Sequence, residues 1–209
     1  KTAGAALASG GNYNALLGEE AGNDLTTGIN NVAIGYQALD KGTTESDDNV
    51  AIGYQAMHGN FTTAAVNDCV AIGSLSLDGV LTSAASGTVA IGKSALTALT
   101  SGAGNLAIGL NALSTLTTGG SNLAIGDGAL DVLLDGTRNI AIGGNALGGA
   151  DGDESDNVAI GLHSMMTMNN TASLKNVAIG NYTLDATGTN AIDGIVAIGH
   201  QALTAVTSG

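Results

Sequence analysis

Several things are scarce in this chain, and each scarcity removes a class of protein. A single cysteine, Cys69, rules out an intrachain disulfide framework. Basic residues number five against eighteen acidic ones, a formal net charge of −13. Phosphate binding needs a basic footprint, so nucleic acid is excluded as a partner and anionic membrane surfaces are disfavoured. No apolar run reaches the length of a transmembrane helix, so no membrane insertion is expected in this section. No basic-then-apolar segment is legible at the N-terminus. Proline and tryptophan are absent and aromatics make up 2% of residues, which leaves little to build a bulky globular core. What remains is glycine, at 33 positions, and small aliphatics within a hydrophobic fraction of 44%. Ala, Leu, Ile and Val suit thin, closely stacked layers.

The layers are written out in the sequence. "NVAIGYQAL" at 31–39 returns as "NVAIGYQAM" at 49–57. Ala-Ile-Gly occurs ten times, and a degenerate copy, "NALLG", ends at Gly18. From Gly18 onward the successive glycines are 17 to 20 residues apart, with 17 as the bare unit and the excess as insertion. Four residues after each glycine of the full copies stands Leu or Met, preceded by Ala, Ser or Thr. The shortest units add Leu99, Leu116 or Leu133 and then a Thr/Ser/Gly turn. Such internal periodicity marks a solenoid. The whole chain, 1–209, reads as a single repeat domain, with a degenerate coil over 1–30 and regular coils over 31–209.

Each unit predicts one coil. In "NVAIG", Val32 and Ile34 point to one face of an extended segment and Ala33 to the other. Gly35 turns the chain, and a second short extended piece ends at Leu39 with Ala38 on its opposite face. Recurrent glycine and β-branched residues argue against helix. The fold class is therefore all-β, a β-solenoid of about eleven coils of 17–20 residues. At a strand spacing of ~4.8 Å the rod is on the order of 50 Å long. The stacked core is assigned to Ile34, Ile52, Ile72, Ile91, Ile108, Ile125, Ile142, Ile160, Ile179 and Ile198. The facing-away column is Ala33, Ala51, Ala71, Ala90, Ala107, Ala124, Ala141, Ala159, Ala178 and Ala197. Its uniformity is read as inter-subunit packing against the same rod around a rotation axis. Asn31, Asn49, Asn105, Asn122, Asn139, Asn157 and Asn176, which open their units, are expected to form a hydrogen-bonded ladder or to fix the turn. Cys69 takes the Asn position in its unit and is read as structural.

The N-x-A-I-G-x-x-A-L unit resembles two related groups of fibrous proteins over residues 13–209. One is the head of trimeric autotransporter adhesins, whose S-V-A-I-G-type units build a left-handed parallel β-roll in a three-chain bundle. The other is the shaft of bacteriophage tail fibres, and the Ala-Leu pair and long Thr/Gly turns are closer to this one. The resemblance implies a homotrimer on a virion, with attachment as its task. The implied partners are other copies of itself, other fibre or tail proteins, and a host surface glycan or protein receptor. The alternative it implies is a bacterial cell-surface adhesin head that binds glycan or matrix. No neck, membrane anchor or C-terminal fibre chaperone domain is visible. The repeat is cut at both ends, as in a section of a longer fibre.

Other chemistries fare worse. "IGYQAL" matches the hexapeptide unit of acyltransferase β-helices, but only one of three hexads per coil fits and the spacing is irregular. His58, His163 and His200 lie in unrelated units with no carboxylate at a fixed offset, so no catalytic role is assigned. No cofactor is expected. Asp151, Asp153 and Asp156 in "DGDESDN" are the weak candidates for a metal, since they alternate as calcium ligands do. The run is read instead as an insertion loop with a solvated acidic face. Insertions also break the regular Thr ranks that ice binding needs. Tyr36, Tyr54 and Tyr182 are candidates either for stacking on sugars or for packing on a neighbouring chain.

Overall fold

The computed structural model describes residues 2–7, 10–41, 45–60, 65–168, 174–186 and 192–204. Eleven three-residue strands follow one another along the chain, β1 (Ala15–Leu17), β2 (Val32–Ile34), β3 (Val50–Ile52), β4 (Val70–Ile72), β5 (Val89–Ile91), β6 (Leu106–Ile108), β7 (Leu123–Ile125), β8 (Ile140–Ile142), β9 (Val158–Ile160), β10 (Val177–Ile179) and β11 (Val196–Ile198). They form one parallel sheet in sequence order. The register is strict: Val32 pairs with Val50, Ala33 with Ala51 and Ile34 with Ile52, and so on along the rod. The chain is an all-β parallel solenoid with one strand per repeat unit. The one helical element among the described residues is a 3₁₀ turn at Ser83–Ala85.

The two faces of the strand are the reverse of the sequence assignment. Every Ala of the column is buried, from Ala33 to Ala178 at 0% exposure and Ala197 at 3%. The Ile column, from Ile34 to Ile198, is half-buried or exposed. Ala33 and its counterparts therefore line the inside of the coil and are not placed at a subunit interface by exposure. The cause is the small cross-section of a 17-residue coil. Leu113 and Leu116, with Ala112 beside Leu113, are fully buried and fill it from the turn side. Only a methyl's depth is left beneath the strand, and an Ile pointing inward would overpack it.

The second predicted extended piece is a turn. Gly35 has φ +132, Gln37 φ 54 and Leu39 φ 52, and the same positive values recur in later coils. Ala38 and Leu39 both lie in the core, because a turn does not alternate faces as a strand does. The backbone of this turn bonds between coils. The Gln37 amide donates to the Glu19 carbonyl at 2.9 Å, and the Leu39 amide donates to the Ala56 carbonyl at 3.0 Å. Glycine is required at the strand exit twice over. Its φ is one that side chains resist, and a Cβ there would fall inside the carbonyl of the next coil's glycine.

The Asn column forms the expected ladder. Asn49 Nδ2 donates to Asn31 Oδ1 at 3.1 Å, and Asn122, Asn139, Asn157 and Asn176 repeat this at 3.1–3.3 Å toward the preceding Asn. Each Oδ1 also accepts the backbone amide of the residue at the same position in the next coil, as Asn122 Oδ1 does from Asn139 and Asn176 Oδ1 from Ile195, both at 3.0 Å. Cys69 and Thr88 interrupt the row. The Cys69 amide still donates to Asn49 Oδ1 at 3.0 Å, while the Thr88 hydroxyl is buried without a partner. Burial pushes the Cys69 thiol up, which keeps it protonated.

Candidate functional site: the outer strand face

Strand alternation, with Ala turned inward, sends two β-branched or Leu columns outward in each coil from β2 to β11, and Ala15 and Leu17 extend them at β1. The first runs from Val32 to Val196 and the second from Ile34 to Ile198. Neither column holds a charged residue. Exposure along the second is 36% at Ile34, 37% at Ile179 and 67% at Ile198. The result is a flat apolar face two side chains wide and the full length of the rod. Soluble monomers seldom carry a contiguous apolar patch beyond a few hundred Å². This face is the residue set the sequence reading had placed inside, and inward or outward was the part it missed.

Two columns border the face. One stands two residues before each strand, where Asn30, Asp48, Gly104 and Arg138 all have positive φ. The other stands two residues after it, where Tyr36, Tyr54, Leu110 and Leu162 are exposed. Tyr36 and Tyr54 stack on each other, with ring centroids 5.5 Å apart and planes at 17°. Their facing surfaces are thus used within the chain, which weakens the sugar-stacking expectation. Tyr182 meets His163 and His200 edge-on at 5.2 and 6.1 Å. Below the tyrosines, Gln55 donates to Gln37 at 2.7 Å and Gln37 to Glu20 at 2.6 Å, a side-chain row parallel to the rod.

His58 does have carboxylate neighbours, contrary to the sequence reading. Its Nδ1 lies 3.3 Å from Asp78 and its Nε2 3.9 Å from Asp40, one coil to either side. Lys41 continues the row, 2.9 Å from Asp40 and 3.2 Å from Asp24. The signal was present as position: Asp40, His58 and Asp78 each stand five residues after the repeat glycine. The His58 contacts to Asp40 and Asp78 and the Lys41 contact to Asp24 each join one coil to the next.

The acidic run is only partly a solvated loop. Asp151 and Asp153 are exposed, but Glu154 is buried and its carbonyl accepts from Asn139 Nδ2 at 2.7 Å. Ser155 Oγ accepts the Thr137 amide at 2.9 Å. Asp156, one of the three metal candidates, is held by the Arg138 fork at 2.6 and 2.9 Å, which lowers its pKa. Asp151, Asp153 and Asp156 are not brought together with a fourth ligand. Among the described residues no group of three or more His, Cys, Asp or Glu side chains is arranged to hold a metal.

Burial raises the pKa of Glu154, of Asp131, and of Asp78 against the lowering influence of His58. The folded chain then holds these protons more tightly than the unfolded chain does. Stability is present below their ordinary values and is lost as pH rises through the raised ones. Asp135 and Asp156 are shifted the other way, so their contribution is lost only at still lower pH. The melting temperature is expected to be higher at pH 5 than at pH 7.5, and Glu154→Gln should flatten part of that difference. A melting temperature that falls on going to pH 5 would contradict this assignment.

Taken together, these features define a β-solenoid with an uncharged, outward-facing apolar ribbon. Comparison of the chain with known protein families, curated proteins and solved structures yields no match.

Proposed function

We propose that this protein is a structural, non-enzymatic section of a phage tail fibre, which stiffens the fibre and presents or mediates attachment to the host cell surface. In this reading the coils wind left-handed and three copies run around a common axis, as in the families the repeat resembles. The observation that carries it is the outer strand face, apolar in all eleven coils and left open by a single chain. A stable interface buries about 800 Å² per partner, which spread over the coils is only ~70 Å² each. Partly exposed Val and Ile side chains with their borders supply area on that scale. The number of copies comes from the resemblance; association as such is supported by the face. Three rods in parallel also multiply any weak surface contact into avidity.

The test is native mass measurement or sedimentation of the wild type beside Ile108→Asp. Ile108 is only half-buried in its own chain, so the aspartate can reach water in an isolated rod. In an assembly it would place a charge inside an apolar contact without a partner. The wild type is expected to be a trimer, and Ile108→Asp to remain β-structured while its association weakens by 100-fold or more. A wild type that stays monomeric at tens of micromolar, or an Ile108→Asp that assembles equally well, overturns the proposal.

A further inference from the structure

We infer that the two borders of the strand face meet each other between copies, and that their coil-by-coil matching in size and charge is what fixes the register of the assembly. The inference rests on the reading of the face as a self-assembly surface. Within one chain the two borders lie on opposite sides of the strand, one before it and one after it. Around an axis along the rod, the border before the strand in one copy meets the border after the strand in the next, coil by coil.

At that pairing, each glycine in one border stands opposite a long side chain in the other. Gly104 faces Leu110, Gly87 faces Lys93 and Gly194 faces His200, while Gly144 faces Arg138. At three of the four the chain itself leaves this space open: a Cβ at Gly87 or Gly194 would meet nothing within 4 Å, and one at Gly104 only the Ser121 hydroxyl at 3.8 Å, whereas one at Gly144 would meet the Leu162 side chain at 3.3 Å. Left-handed backbone permits glycine there but does not demand it. Asp48, Ser121, Arg138 and Lys175 hold the same conformation in other coils. Charge follows the same rule, since no coil has a charged residue in both borders; Asp68 faces Ser74 and Asp127 faces Ser121. Side chains that do not touch in one chain have no intramolecular reason to compensate each other in this way. A centred antiparallel packing would set each border against itself, with Asp48 against Asp156 and Leu110 against Leu110. A slip of one coil would set Arg138 against Leu162 and leave Gly144 opposite Ser121.

The experiment is cross-linking between copies in a Cys69→Ser background, which removes the one native thiol. Chains carrying Gly104→Cys and chains carrying Leu110→Cys, with tags of different mass, are co-expressed and treated with a short bis-maleimide. Links joining position 104 of one chain to position 110 of another should exceed 104-to-104 links by at least tenfold. Pairing Gly104→Cys with Lys93→Cys or Asp127→Cys, one coil away, should give correspondingly little product. As a second readout, Gly104→Arg should weaken association at least tenfold, and Leu110→Gly in the same chain should restore much of it. A monomeric wild type would sink the self-assembly reading and the alignment together. An oligomer that links 104 to 104, links one coil out of step, or yields no 104-to-110 product would overturn the alignment alone.

Discussion

Gly109→Ala is expected to destabilise the rod by about 3 kcal/mol or more, whereas Gly104→Ala, five residues earlier, should cost ~1 kcal/mol. Gly109 sits at φ +142 at the exit of β6, where an L side chain is strained wherever it points. Its Cβ would also be driven into the Gly126 carbonyl of the next coil. That carbonyl cannot retreat cheaply. Gly126 is fixed through its own amide, which donates to the Ile108 carbonyl at 2.8 Å, and parting the coils would break the ladder on both sides. Gly104 has φ +71, a conformation that its column shares with Ser121 and Arg138, and its Cβ position is open. Urea or thermal unfolding of the two variants at one protein concentration makes the comparison. Similar losses would mean that the glycine column is not the point of closest approach between coils.

Asn122→Ala should cost about 3–5 kcal/mol, far beyond what a surface Asn contributes, because the residue is a rung between two others. Its Oδ1 accepts both the amide and the Nδ2 of Asn139, at 3.0 and 3.1 Å. Its Nδ2 donates to Asn105 Oδ1 at 3.2 Å and to the Gly136 carbonyl at 2.9 Å. All of these groups are buried, and truncation leaves two donors on Asn139 and the Gly136 carbonyl with no replacement partner. Ser121→Ala, at the exposed position next to it, should change stability by less than ~0.5 kcal/mol. Equal midpoints for Asn122→Ala and wild type would show that the ladder is decoration and that the aliphatic columns alone hold the stack.

The division into coils, the strand that opens each unit and the register all follow from the sequence, whereas the second extended piece expected after Gly35 is a turn. A repeat of 17 to 20 residues with a fixed Asn-x-Ala-Ile-Gly opening admits one stacking, because any slip would take Asn off Asn and put a side chain where the glycine must be. The Asn ladder and the buried Leu99, Leu116 and Leu133 were legible for the same reason. The sequence also settled that Val32 and Ile34 share one face and Ala33 takes the other, since period-two alternation requires it. Alternation carries no sign, however. Which face is inside depends on the room that the closed coil encloses, and that room is set by how far Leu113 and Leu116 reach in from the turn. This is a property of chain closure and of the glycine and left-handed turn residues that achieve it, so the tertiary structure alone turned the Ala column inward. The same closure brought His58 between Asp40 and Asp78, which are 18 and 20 residues away along the chain but one coil away in space. It also left the Ile column outside, uncharged and half-covered.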